Sequence, residues 1–310
     1  MEHIYLGIEI GGTKIQVFVV NSSFTILERI KFFVGHTKEA FKIQEILEDN
    51  LEKLSSNYEI TAIGVGFGGP IDFENGIIHK SFHVSGWNGF NLKHWLSDFT
   101  KVPVFVDNDG NIAALAEAVL GVGKGITRVF YITLGSGAGG GFVVDGRIYH
   151  GKAPGEFEVG HLRLSKSGKT MESSVSGWAL NRKLGIYIDE NPRSQLAILV
   201  KKYETDASKN LLAAIDKNDF GAKAILDETI DDLAYGLSHV VHIVNPDILI
   251  LGGGLSNLGE YLSMTLTHKL RDYMMDVLKE KSPIIKLSGL KEDTVPLGAV
   301  ILAMQQSPKM

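Results

Sequence analysis

Four polar residues crowd one turn of the chain: Asp107, Asn108, Asp109 and Asn111 stand within Val104–Glu117, which reads VFVDNDGNIAALAE. Carboxylates grouped in this way can take a proton from a substrate hydroxyl or accept its hydrogen bonds. Asp and Asn are also favoured helix caps, but one cap accounts for one residue and leaves three. A second group, Gly155-Glu156-Phe157-Glu158-Val159-Gly160-His161, sets two carboxylates and an imidazole in a glycine-flanked loop. Such a set of donors and acceptors suits the vicinal hydroxyls of a polyhydroxylated ligand. Two glycine turns form a third group, Gly11-Gly12-Thr13-Lys14 and Gly135-Ser136-Gly137-Ala138-Gly139-Gly140. Glycine lets backbone come close to a ligand, and exposed N–H groups with a Thr or Ser hydroxyl can hold phosphate oxygens. Neither turn follows the Walker pattern. Gly252-Gly253-Gly254 could let an adenosine lie against backbone, or be a plain strand-to-helix turn. Gly66–Asp72 would bring backbone N–H groups to the same crevice, and Trp87-Asn88 belong either to its wall or, for the Trp, to the core.

The elements around these residues repeat. Ile4–Ile10 and Ile15–Val20 read as an antiparallel strand pair around the first glycine turn, followed by a strand over Thr25–Val34. Ile43, Ile46, Leu47, Leu51 and Leu54 fall on one face of a helix over Glu39–Leu54. Ala62–Phe67 is a strand, Asn91–Phe99 a short helix, Val104–Val106 a buried strand, and a helix follows from Asn111. The order β-β-β-α-β-α-β-α then starts again at Val129–Thr133. After Gly141–Val144 comes a long, mostly polar insertion. A helix over Phe220–Val244 keeps apolar spacing until Asn245-Pro246 stops it. Ile248–Leu251, Tyr261–Lys279, Ile284–Leu287 and Pro296–Met304 complete the second copy. In an open α/β sheet, ligands sit at the carboxyl ends of the strands, which is where the polar turn at Asp107–Asn111 falls.

With 310 residues the chain has room for two domains. A hydrophobic share of 44% and a charged share of 22% are those of an ordinary globular protein. A net charge of -5 gives no footprint for nucleic acid. No apolar run approaches the roughly 18 residues of a membrane span. A sequence with Cys 0 has no disulfide, thiolate zinc site or cysteine nucleophile. A cytoplasmic location is the default expectation.

Taken together, Gly7–Lys14, Gly68–Asp72, Asn108-Asp109, Thr133–Gly141, Glu158–His161, Gly252–Gly254 and Leu297-Gly298-Ala299 resemble the ROK family (repressors, open reading frames, kinases) of the actin-like ATPase superfamily. The resemblance implies an α/β, duplicated ribonuclease H-like fold whose two domains flank a cleft. Residues 1–120 and 295–310 would form the smaller domain, and 121–294 the larger. It also implies a hexose bound by Gly69, Asn108, Asp109, Glu158 and His161, with Asp109 as catalytic base. By register before Ser176-Gly177, Glu172 is similar to a second sugar-binding glutamate. Gly11, Gly12, Thr13 and Lys14 would hold ATP together with Thr133, Gly135, Ser136 and Gly137, and Gly253 and Gly254 would lie on the adenosine side. Glu9 stands on the magnesium side, where most members have Asp. The implied reaction is direct phosphoryl transfer from Mg·ATP to a primary hydroxyl. Glucose at its 6-hydroxyl is favoured; fructose, mannose and 2-acetamido sugars stay open, and a homodimer is implied.

Relatives that carry structural zinc follow the histidine with cysteines, which this chain lacks, so no zinc is expected. A repressor would need a DNA-binding segment ahead of Glu9, for which the start leaves no room. A non-catalytic ATP-binding or sugar-sensing protein of the same fold is the rival from another class, and it would not need the sugar constellation.

Overall fold

The computed structural model describes residues 3–34, 39–82, 84–153 and 157–307. Met1–Thr127, Gly141–Phe157 and Gly289–Met310 form one compact unit, and Arg128–Gly140 and Glu158–Ser288 a second. In chain order the strands and helices are β1 (Ile4–Ile10), β2 (Lys14–Asn21), β3 (Ile26–Phe33), α1 (Ala40–Asn57), β4 (Ile60–Phe67), the short pair β5 (Ile71–Asp72) and β6 (Ile77–Ile78), α2 (Leu92–Thr100), β7 (Val104–Asn108) and α3 (Asp109–Val119). Then come β8 (Arg128–Leu134), β9 (Ala138–Val144), β10 (Arg147–Ile148), α4 (Met171–Val175), α5 (Gly177–Glu190), α6 (Gln195–Tyr203), α7 (Leu211–Ile215), α8 (Phe220–Val244), β11 (Ile248–Gly252), α9 (Glu260–Asp272), α10 (Asp276–Lys279), β12 (Ile284–Leu287) and α11 (Thr294–Gln306).

The duplication is present in the sheets. One has the order β3-β2-β1-β4-β7, the other β10-β9-β8-β11-β12. In the first, β1–β2 and β2–β3 are antiparallel while β1–β4 and β4–β7 are parallel. In the second, β9–β10 is antiparallel and β8–β11 and β11–β12 are parallel. Antiparallel neighbours need only hairpins, whereas parallel ones need crossovers, so each copy alternates with helices only after its third strand.

The first sheet is covered on both faces, and its strands sort residues by parity. Ile4, Leu6, Ile8 and Ile10 of β1 join Ile63, Val65 and Phe67 of β4 in a core with Ile43, Leu47, Leu51 and Leu54 of α1 and Leu92 and Leu96 of α2. On the opposite face Tyr5 and Ala62 meet Leu297, Val300 and Ala303 of α11. That face has Gly7 in register with Gly64. A Cβ at Gly64 would lie 2.5 Å from the carbonyl carbon of Ala299, and one at Gly7 would lie 2.8 Å from the Val300 side chain. A Cβ at Gly298 would stand 2.9 Å from the Ile112 carbonyl carbon on α3. Helix α11 therefore rests backbone to backbone on β1, β4 and α3, and it is buried nearly all round from Pro296 to Ala303.

The long insertion is largely helical, which its polar composition hid: α4 to α7 fall within it. The segment expected as one helix over Tyr261–Lys279 breaks into α9 and α10 at Tyr273. Residues 141–157, placed with the second domain in the sequence division, group with the first unit. A Cβ at Gly141 would come within 2.5 Å of the Gly110 carbonyl oxygen, and His150 pairs with Asp107. Both contacts fasten this segment to the start of α3.

A substitution test follows from the glycine-lined face. Gly64→Ala is expected to destabilise the protein by about 2 kcal/mol or more, because overpacking against backbone forces a shift. Gly185→Ala, on an α5 position whose Cβ would meet nothing within 4 Å, is expected to be neutral or mildly stabilising. Thermal melting of both variants reads the difference, and equal melting points would refute the close-packing argument.

Candidate active site

The turn at the end of β7 is built by its own side chains. Asp107 is buried, 2% exposed, and its Oδ1 accepts from the Asn108 N–H at 2.7 Å and from Asn111 Nδ2 at 2.9 Å. Its Oδ2 lies 2.7 Å from His150 Nε2. The His150 ring in turn stacks on Phe73, with centroids 3.8 Å apart and planes 15° from parallel. Asn108 caps α3 by accepting from Gly110 N–H at 2.8 Å, and its Nδ2 donates to the Gly69 carbonyl at 3.1 Å. Of the four polar residues, then, Asp107 and Asn111 are internal bracing and Asn108 is a cap that also reaches across to β4. Asp109 opens α3, half-buried, with Oδ1 accepting from Gly110 N–H at 2.9 Å. Its Oδ2 lies 3.4 Å from where a Cβ of Gly68 would stand, so the carboxylate faces the carboxyl end of β4. His150 is the participant sequence reasoning missed; nothing in its local spacing distinguishes it, and its partner is 43 residues away.

The Gly66–Asp72 stretch differs from the expectation. The N–H groups of Gly68 and Gly69 donate to the Ile10 and Phe67 carbonyls, both at 3.1 Å, rather than standing open to a ligand. What Gly69 contributes is its carbonyl, presented to Asn108 by a backbone at φ +152°. Asp72 closes a local turn, accepting from the N–H groups of Glu74 and Asn75 and the Asn75 side chain, and these bonds hold its carboxyl below the usual range. Trp87 is core: it is fully buried and packs edge-on against Phe67 and Phe90.

The first glycine turn joins β1 to β2, with Gly11 N–H donating to the Lys14 carbonyl at 3.1 Å. Thr13 is exposed at its tip. Glu9 stands beside it, where Oε2 accepts from Gln16 Nε2 at 2.6 Å and pairs with Lys14 Nζ at 3.4 Å. Oε1 lies 4.0 Å from where a Cβ of Gly11 would stand. Magnesium is usually held by one or two carboxylates plus waters and substrate phosphates, and a carboxylate with one oxygen turned to a phosphate-type turn fits that role. Among the described residues no cluster of three or more His, Cys, Asp or Glu could hold a metal by itself.

In the second unit, Gly135 N–H donates to the Gly137 carbonyl at 3.0 Å, closing the turn between β8 and β9 with Ser136 exposed at its apex. Thr133 lies in register with Gly252 at the end of β11. Gly253 has φ +79°, and a Cβ there would stand 2.5 Å from the Leu134 carbonyl carbon, so this glycine is required by backbone packing. Gly254 opens a 3-10 turn, and a Cβ on it would meet nothing within 4 Å. Gly137 has no left-handed backbone; a Cβ on it would instead come 2.5 Å from Glu172 Oε2.

Glu158 and His161 flank a 3-10 turn over Val159–His161, and the loop after it is closed by Leu164 N–H to the Lys169 carbonyl at 2.8 Å and Met171 N–H to the Leu162 carbonyl at 2.9 Å. Gly155 and Glu156 lie outside the described residues. Although residue Glu158 keeps exposed surface, desolvation of its carboxyl, with the Glu172 charge adding to it and His161 opposing, pushes its pKa up. Glu172 sits on α4, where a capping box between Thr170 and Ser173 starts the helix and buried Met171 seats against Gly236 of α8. Its Oε2 accepts from Ala138 N–H at 2.9 Å.

The candidate residues divide between the units: Glu9, the Gly11–Lys14 turn, Gly69, Asn108 and Asp109 lie in the first, and Thr133, the Gly135–Gly137 turn, Glu158, His161, Glu172, Gly253 and Gly254 in the second. The family model described as ROK family matches residues 5–306. A glucokinase of Thermotoga maritima is 32% identical across 97% of this chain and 97% of its own. A glucokinase of Halalkalibacterium halodurans is 30% identical across 99% of this chain and 96% of its own. A ROK family glucokinase from Streptomyces griseus, solved in complex with glucose and AMPPNP, superposes with a TM-score of 0.84 at 26% identity, covering 97% of this chain and 99% of that one.

The raised carboxyl of Glu158 gives a pH prediction with a definite sign. In the unfolded chain this group ionises near its ordinary value of 4.5, and in the folded chain only at higher pH. The folded state therefore loses stability as pH rises from 4.5 through the folded value. Glu158→Gln is expected to melt higher than wild type at pH 8, and the difference should vanish towards pH 4.5. A difference that is constant with pH would show that burial of the charge is not its cause.

Proposed function

The chain belongs to the ROK family, a sugar kinase of the actin-like ATPase fold, and on that premise we propose that it transfers the γ-phosphoryl group of ATP to a hexose, with glucose at its 6-hydroxyl as the substrate. The observation that carries the reading is Asp109: a half-buried carboxylate at the first position of α3, at the carboxyl end of the parallel strands β4 and β7, with Asn108 pinned beside it on Gly69. A carboxylate so placed can accept the proton of a primary hydroxyl as its oxygen attacks phosphorus. Because the transition state of phosphoryl transfer is loose, the rest of catalysis is positioning and charge stabilisation. That work falls to the N–H groups of the two glycine turns and the hydroxyls of Thr13 and Ser136, with Thr133, Gly253 and Gly254 lining the nucleoside side. Glu158, His161 and Glu172 would hold the sugar together with Asn108 and Gly69. Magnesium, when bound with ATP beside Glu9, neutralises charge on the phosphates.

Fructose, mannose or a 2-acetamido sugar as acceptor is decided by pocket shape, and a coupled ADP-release assay over a hexose panel, with ATP and polyphosphate as donors, discriminates among them. Such an assay with no turnover on any hexose, while nucleotide still binds, would favour a non-catalytic sensor of the same fold. We further propose a homodimer in the cytoplasm, independent of nucleic acid and without structural zinc.

Two outcomes test this reading. Asp109→Asn keeps shape and hydrogen bonding but removes the proton acceptor, and is expected to lower kcat by about two to four powers of ten while sugar still binds. Near wild-type turnover at saturating sugar would remove Asp109 from the role of base. A zinc-selective chelator is expected to leave the melting temperature unchanged; a lowered melting point with stoichiometric zinc released would overturn the zinc-free assignment.

A further inference from the structure

Glu172 was singled out as a sugar ligand, yet in the structure its carboxylate is engaged elsewhere. Its Oε2 accepts the N–H of Ala138, the first residue of β9 and the one directly after the Gly135–Gly137 turn, at 2.9 Å. A charged acceptor makes this a stronger bond than an amide would. Three further contacts converge on the same turn. Gly137 approaches Glu172 so closely that a Cβ would stand 2.5 Å from Oε2. The N–H of Gly177 at the start of α5 donates to the Gly135 carbonyl at 2.7 Å. On the loop that carries Glu158 and His161, a Cβ at Gly160 would stand 3.1 Å from the Ala138 carbonyl carbon and 3.4 Å from the Glu172 Cβ. The second glycine turn and the sugar loop are thus packed on one another, and one carboxylate bonds the turn from the sugar side. Oε1 of Glu172 makes no hydrogen bond among the described residues.

We propose that Glu172 is a positioning residue of the nucleotide site, its carboxylate holding the second glycine turn in the shape that binds phosphate and linking that turn to the sugar loop. The proposal rests on the kinase reading above and deepens it. With Oε2 on Ala138 and Oε1 left to accept from a hexose hydroxyl, one side chain would touch both halves of the reaction. A sugar that fixes its orientation then also fixes the turn, and by linkage the nucleotide strengthens sugar binding by the same factor. A side chain at position 137 would have to displace Oε2 from its present place, which assigns to Gly137 a role in making room for the carboxylate.

The test is nucleotide binding measured by calorimetry with a non-hydrolysable ATP analogue and magnesium, first without sugar and then with saturating glucose. Glu172→Ala is expected to weaken analogue binding about tenfold or more without sugar, and to abolish any gain that sugar confers on wild type. Glu172→Gln, which keeps an acceptor oxygen of the same reach, is expected to fall between the two. Gly137→Ala is expected to weaken the analogue by displacing the carboxylate, and in the Glu172→Ala background, where that clash is gone, to add little. Melting temperatures of the four proteins identify any variant whose loss comes from unfolding. Analogue affinity without sugar within about twofold of wild type in a folded Glu172→Ala protein, with sugar binding lost, would make Glu172 a sugar ligand alone and overturn the proposal. Additive losses in the double variant would overturn it as well. A wild-type chain that binds the analogue but phosphorylates no hexose would sink the kinase reading, and the brace would still be judged by the same variants.

Discussion

The first unit depends on one steric constraint, the backbone contact of α11 with β1, β4 and α3. A helix packed on a sheet through ordinary side chains stands about 10 Å away, whereas here Gly7 and Gly64 remove the side chains between them and Gly298 does the same towards α3. Because protein interiors are close-packed, such a contact transmits position with little slack. Helix α3 is held along its length by α11 and at its far end by the buried carboxylate of Glu117, which accepts from the N–H groups of Leu290 and Val122, both at 3.0 Å. At its near end it is held by Asp107 and Asn108. The result is that Asp109, the first residue of α3, is fixed by elements that come from four separate parts of the chain.

Much of this was legible in advance, for reasons that differ by element. Strands β1, β4 and β7 and helices α1 and α8 are long or strongly patterned, and period alone places them. The duplicated order is visible for the same reason. Helices α4 to α7 were not read from the sequence: α4 and α7 span 5 residues each, too few for a periodic signal, and α6 spans only 9. Their starts were marked instead by caps, Thr170, Ser176 and Ser194, each accepting from a backbone N–H three residues on, and reading those would have recovered α4, α5 and α6.

For the site, residue types and order singled out particular turns but did not give the contacts that each side chain makes there. The four-residue polar cluster at the end of β7 looked like one chemical group; it separates into two braces, a cap and a half-buried carboxylate at the start of α3. The contacts that decide this are long-range. His150 on Asp107 and Glu172 on Ala138 join residues 43 and 34 positions apart, and no spacing rule reaches that far. Glycine was similarly ambiguous. Gly7 and Gly298 stand in the motifs that carry the family resemblance, yet their lack of a side chain serves helix packing, as does that of Gly64, whereas Gly137 makes room for a carboxylate.

Glu158 and Glu172 show why the sugar loop is built on a stiff support. Burial of its carboxyl, and to a lesser degree the nearby carboxylate of Glu172, opposes ionisation of Glu158, a cost that a loop free to relax would reduce by turning the two groups out and apart. Here they are kept from separating: Glu172 by the capping box at Thr170, the seat of Met171 on α8 and the bond to Ala138, and Glu158 by the tight turn at Val159–His161 packed on Gly140. On the proposed reading a hexose would bring a hydroxyl donor to Glu158, and such a bond would favour the charged form that burial disfavours. Binding of a polyol would then be favoured by relief of that cost, which an apolar ligand could not provide. On the proposed reading the same arrangement would select for hydrogen-bond donors at this loop, so its chemistry would favour a sugar before pocket shape chose among sugars.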